Sequence, residues 1–241
     1  MPQEVIGILG GMGPAATVEL FNRIVNNTAA KYDKEHVNTI IINDPQIPDR
    51  TEYILGEGES PIPKLKENIM KLHLAGAEYI AIPCMTAHTF ISELQQSSPI
   101  PIINAIELID RYLEETYPNV HTVGLLATTG SIKSGVYGKH LTKTNIITPD
   151  GMQQSRLMDI IYSKNGIKAG NTSPEIVNEI NKILYELRKE NIQAVIAGCT
   201  ELGIVMNNTN MDMPVIDPIT LLAKETVKLG NNYIKDENND S

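Results

Sequence analysis

Gly7-Ile8-Leu9, the close of an apolar run that begins at Val5, recurs as Gly124-Leu125-Leu126, and two more strand-like endings recur behind it in the same order. Ile82-Pro83-Cys84 returns as Ala197-Gly198-Cys199, and Pro101-Ile102-Ile103-Asn104 returns as Pro214-Val215-Ile216-Asp217. The offset drifts from 117 (7 to 124) through 115 (84 to 199) to 113 (101 to 214), as an ancient internal repeat would. Short β-branched runs alternate with segments of helical period, the pattern of a mostly parallel sheet covered on both faces. Together these features predict an α/β protein of two pseudo-symmetric lobes, each with a mostly parallel sheet flanked by helices, and an active site between the lobes.

Strands are expected at Val5–Leu9, Thr39–Ile42, Tyr79–Ile82, Ile100–Ile103, Thr122–Leu126, Ile146–Ile147, Ala194–Ala197 and Val215–Ile216. Helices are expected at Pro14–Ala30, with Leu20, Phe21, Ile24 and Val25 on one face, at Lys64–Ala75 before Gly76, and at Pro174–Lys189. The first lobe would comprise 1–104 plus 213–241 and carry Cys84; the second would comprise 105–212 and carry Cys199. The polar tail from Lys235 to Ser241 is expected to fray.

The chain has 241 residues, a net charge of −9 and two cysteines. That length buries a sizeable core without staples, and two cysteines so far apart form no disulfide framework. A reduced, cytoplasmic setting follows. The acidic balance and the lack of a Lys/Arg cluster argue against nucleic acid as a partner. No apolar run approaches the roughly 20 residues of a membrane-spanning helix, and the start of the chain lacks the basic flank of a secretory signal. A small-molecule partner is expected.

The repeat puts both cysteines after apolar strands and before helices expected from Thr86 and Glu201 onward. Ligands of open α/β sheets bind beyond the carboxyl ends of the strands, so both thiols fall on the functional side. Helix N-termini favour anions and are expected to lower a thiol pKa from about 8.5 toward neutrality. A lone free cysteine is ordinarily a small buried hydrophobe. Two at matching positions meet the needs of stereoinversion: one thiolate removes an α-proton, and a protonated thiol returns a proton to the other face.

Gly7-Ile8-Leu9-Gly10-Gly11-Met12-Gly13-Pro14, Pro48-Asp49-Arg50-Thr51, Pro83-Cys84-Met85-Thr86-Ala87-His88, Gly124-Leu125-Leu126-Ala127-Thr128-Thr129-Gly130 and Ala197-Gly198-Cys199-Thr200-Glu201 closely resemble the aspartate racemases of the aspartate/glutamate racemase family. The likeness spans essentially the whole chain. It implies a homodimeric racemase, independent of pyridoxal phosphate or any other cofactor and of metal, that interconverts L- and D-aspartate with Cys84 and Cys199 as its two bases. It also implies that Arg50 and Lys168 hold the side-chain carboxylate of a small dicarboxylic amino acid, and that Met12, Met85, Thr86, Ala87, Thr129 and Thr200 line the substrate site. Arg50 suits bidentate recognition, and Lys168 adds a point charge. Glu201 and His88 are candidates to tune the thiols. The family usually has asparagine where this chain has Met85, which removes an amide donor and leaves the backbone N–H.

Three other readings use the same residues. Gly11-Met12-Gly13-Pro14-Ala15-Ala16 fits a dinucleotide fingerprint, but Asp44 lies too far beyond it and Pro14 is foreign to such a loop. A glutamate or broad-specificity racemase would share the pocket. A non-catalytic amino-acid-binding module would keep the pocket without exchanging the α-proton.

Overall fold

The computed structural model describes residues 3–206, 212–230 and 234–235. The fraying expected of the tail falls outside them apart from Lys235. Among the described residues, seven strands form two wholly parallel sheets: β1 (Ile6–Gly10), β2 (Thr39–Asn43) and β3 (Tyr79–Ala81) in the order β2-β1-β3, and β4 (Thr122–Leu126), β5 (Asn145–Ile147), β6 (Ala194–Ala197) and β7 (Val215–Ile216) in the order β5-β4-β6-β7. The Ile100–Ile103 run contributes a single parallel bridge, Ile102 to Ile80, rather than a strand. Pro101 has no N–H to give a ladder, and only its carbonyl is used, by Ile80. That bridge flanks β3 as β7 flanks β6, so the repeat read from the sequence is one of topology.

Helices α1 (Pro14–Asn27), α2 (Arg50–Leu55), α3 (Ile62–Leu74), α4 (Ile91–Ser97), α5 (Ala105–Thr116), α6 (Thr129–Ser134), α7 (Val136–His140), α8 (Gly151–Tyr162), α9 (Pro174–Arg188), α10 (Thr200–Met206) and α11 (Pro218–Leu229) cover the sheets. Strands alternate their side chains between layers. Ile6 and Ile8 of β1, Val123 and Leu125 of β4, and Ala194 and Ile196 of β6 enter one shared middle cluster with α1, α5 and α11. Leu9 turns outward to α3, while Leu126, Val195 and Ala197 turn outward to α8 and α9. A strand buried on both faces must be apolar throughout, as Ile6–Gly10 is.

Two expectations change in detail. The buried stripe of α1 is Ala16, Leu20 and Ile24, with Phe21 and Val25 on the exposed flank, because α11 covers the other side. The 213–241 stretch is divided: β7 pairs with β6 in the second sheet, while α11 packs against α1.

The strand ends are shaped to bring loops together. Gly11 has φ +100°, and a Cβ there would lie 2.3 Å from the Asp44 carbonyl. Only glycine lets the loop after β1 press against the loop after β2, which carries Arg50. Asp49 caps α2 by accepting from the N–H groups of Thr51 and Glu52. A Cβ on Gly130 would lie 2.9 Å from Thr51 Cα, so α2 and α6 meet almost backbone to backbone.

Candidate active site

Cys84 and Cys199 leave the carboxyl ends of β3 and β6 and are 6% and 5% exposed. Lys168 and Tyr137 each interact electrostatically with both thiols. After Cys84 the chain enters a 3₁₀ turn, Met85–Phe90, before α4; after Cys199 it enters α10 directly.

Two cations from different lobes converge on one backbone atom. Arg50 Nη2 donates to the Met12 carbonyl at 3.1 Å, and Lys168 Nζ donates to the same oxygen at 3.2 Å. Arg50 is 6% exposed, not a solvated surface cation. Its Nη1 donates to the carbonyls of Ile47 and Pro48, while its Nε–H is buried without a partner. Burial opposes the Arg50 charge, but Cys84, then Asp49 and Tyr162, favour it more, and its pKa is raised. Lys168 sits in the 3₁₀ turn Ile167–Ala169, 5.4 Å above the Tyr162 ring.

Glu201 is 2% exposed and fully engaged. Its Oε1 accepts from Lys168 Nζ at 2.7 Å; its Oε2 accepts from Thr200 Oγ1 at 2.8 Å and from Cys199 Sγ at 3.0 Å. Burial alone would raise the Glu201 pKa, but Lys168 and these hydrogen bonds outweigh it and leave it lowered. Lys168 is the mirror image: burial works against its charge, and Glu201 followed by the two thiols raises its pKa. Burial, then Glu201, pushes the Cys199 thiol well above its usual range. The expected lowering by the helix N-terminus is therefore overturned for Cys199, because the thiol is buried and an ionised carboxylate occupies the same first turn.

Thr86 Oγ1 is hydrogen-bonded to Thr128 Oγ1 and to Ser131 Oγ, each at 3.0 Å, and Thr128 lies 3.1 Å from Ser131. This buried triangle of hydroxyls joins the turn after Cys84 to the N-terminus of α6. Thr129 instead accepts from Gln154 Nε2 at 3.1 Å, and its N–H points at Met158 Sδ. Met85 buries its side chain in the middle cluster, so that side chain serves the core, and Ala87 packs in the outer cluster of the first sheet. Tyr137 Oη donates to the Gly198 carbonyl next to Cys199. Tyr162 Oη reaches Asp49 and Thr51, fastening α8 to the Arg50 helix. Ser131, Tyr137, Gln154 and Tyr162 were not signalled by any local motif, and Thr128 stood in the 124–130 motif without a role of its own.

His88 Nδ1 lies 2.9 Å from the Cys84 carbonyl, so it donates there and acts on Cys84 through the backbone. Burial lowers its pKa to about 4 from 6.5. A histidine in the unfolded chain gains its proton near 6.5 while folded His88 resists until about 4, so acidification across that interval favours unfolding. Unfolding free energies from urea titrations between these pH values should fall by up to about 1.4 kcal/mol per pH unit, and His88→Gln should lose this slope relative to the parent. Equal slopes in the two proteins would contradict a buried neutral His88.

Among the described residues, no group of three His, Cys, Asp or Glu side chains is arranged to hold a metal ion. Among them, too, no helix is long and apolar enough to cross a membrane.

Two parallel α/β lobes with a thiol at the matching strand end of each, and cations shared between them, define the architecture of a two-lobed amino-acid racemase. The chain belongs to the Asp/Glu/hydantoin racemase family, whose model matches residues 9–226. The aspartate racemase of Picrophilus torridus superposes with a TM-score of 0.86 at 30% identity, covering 97% of each chain. The broad specificity amino-acid racemase RacX of Bacillus subtilis is 27% identical over 92% of this chain and 96% of its own length. A glutamate racemase of Carboxydothermus hydrogenoformans is 27% identical over 80% of this chain and 75% of its own length. The family and its racemase class were legible in the sequence motifs.

Proposed function

We propose that the protein interconverts L- and D-aspartate without an organic cofactor, using Cys84 and Cys199 as acid and base on opposite faces of the α-carbon. The observation that carries this reading is the meeting of Arg50 and Lys168 on the Met12 carbonyl, with the Arg50 Nε–H buried and unpaired. A buried guanidinium that keeps an open donor is poised for a carboxylate. The distal carboxylate of aspartate would take Arg50 Nε–H and Lys168 Nζ. The α-carboxylate would lie against the hydroxyls of Thr86, Thr128 and Ser131 and the Met85 backbone N–H. One thiolate then removes the α-proton, the carbanion is held by these fixed donors, and the other thiol returns a proton to the opposite face.

The Picrophilus relative favours aspartate, and RacX and the glutamate racemases define the neighbouring reading of broader or glutamate specificity. The family resemblance supports assembly as a homodimer, and two free thiols suit a cytoplasmic setting. Incubation with each enantiomer of aspartate in D2O, without pyridoxal phosphate, should exchange the α-proton and bring both samples to the same racemic mixture. A panel of dicarboxylic amino acids showing neither exchange nor inversion would leave only the binding-module reading.

A further inference from the structure

Symmetry places the two thiols alike but does not surround them alike. Two residues beyond Cys84 stands Thr86, whose hydroxyl turns to Thr128 and Ser131. Two residues beyond Cys199 stands Glu201, whose carboxylate accepts the thiol proton at 3.0 Å and holds Lys168 at 2.7 Å. One nearly inaccessible carboxylate thus links a thiol to a substrate-side cation. The other groups that face Cys199 are Lys168 from the Ile167–Ala169 turn, Tyr162 from α8 and Tyr137 from α7. Burial raises the pKa of both tyrosines, so they remain neutral and leave Glu201 and Lys168 to set the local charge.

We propose that Glu201 is a positioning residue that keeps the proton on Cys199 in the resting protein and couples that thiol to the occupancy of Lys168. The proposal rests on the racemase reading and adds an order of events to it. Cys84, beside Arg50, takes the α-proton first, and the C–H electron pair stays on the α-carbon. Cys199 then gives its S–H proton to the opposite face and is left as thiolate. The protein now holds the complementary pair of forms, which the other enantiomer runs backward or solvent exchange resets. A substrate carboxylate that draws Lys168 toward itself strips Glu201 of its cation, so the proton is held on Cys199 most firmly while a dicarboxylate is bound.

Site-resolved alkylation tests this on the full chain without substrate. Iodoacetamide modification is followed at each cysteine by peptide mass spectrometry over a pH series. In Glu201→Gln the midpoint for Cys199 should drop by about one pH unit or more, with that for Cys84 in place. Lys168→Met should move the Cys199 midpoint the opposite way, and by more than the same change does beside Glu201→Gln, because only with Glu201 present does the lost cation leave an uncompensated carboxylate next to the thiol; Glu201→Asp, which draws the carboxylate back from the thiol, should lower the midpoint where Glu201→Gln does not fold. An unmoved Cys199 midpoint, a parallel shift of both thiols in Glu201→Gln, or a downward shift of Cys199 in Lys168→Met would overturn the proposal. Alkylation requires no turnover, so a failed racemase assay and a failed coupling are separate results.

Discussion

Cys84→Ala and Cys199→Ala are each expected to lower the rate of inversion by about 100-fold to 10,000-fold in both directions, the usual worth of a general acid or base. Inversion needs a proton delivered to the face opposite the one deprotonated, so neither thiol can be spared. The more telling result is what each variant retains. In D2O the surviving thiol can still remove and return a proton on its own face, so each variant should label one enantiomer without inverting it. The enantiomer labelled by Cys84→Ala should be the one spared by Cys199→Ala. Parental inversion rates in either variant, or the same enantiomer labelled in both, would exclude two bases on opposite faces. Both substitutions remove a single buried sulfur, and circular dichroism should report an unchanged fold.

Arg50→Met is expected to cut kcat/KM for aspartate by about 10-fold to 150-fold, since a hydrogen bond to a charged group is worth about 1.5–3 kcal/mol. The loss should fall on aspartate and spare alanine, which has no distal carboxylate, so the preference between the two should collapse. Stability should fall as well, because the carbonyls of Met12, Ile47 and Pro48 lose their guanidinium donor. Arg50→Lys should restore the charge but not the planar fork, leaving most of the kcat/KM defect. Retained discrimination in Arg50→Met would remove Arg50 from the distal carboxylate site.

The layered α/β fold was readable because strands buried on both faces must be continuously apolar, and because the repeat marks the same strand ends twice. Boundaries near proline were less so: Pro101 reduces one expected strand to a bridge, a matter of a missing N–H. The buried face of α1 depends on α11, more than 190 residues away in the chain, and period alone cannot assign its flank. At the site, the thiols and Arg50 stood in motifs, whereas the hydroxyl partners of Thr86 come from 42 and 45 residues away. Tyr162 reaches Asp49 across 113 residues. Such polar residues are common and carry no spacing signal. The expected activation of Cys199 by its helix failed because folding buries the thiol and sets it beside an ionised Glu201; Glu201 was in view, but neither the burial nor the Lys168 that keeps Glu201 ionised is marked by spacing.

The middle cluster that both sheets share has a consequence for the history of the chain. If the repeat records a duplicated half, that half once had to cover its inner sheet face with a second copy of itself. In the fused chain the same face is covered by α1, α5 and α11, contributed by both sequence halves and interdigitated. Excising either half would bare that layer to water. The surroundings of the two thiols can therefore differ, threonine on one side and glutamate on the other, while the shared layer holds the halves in register.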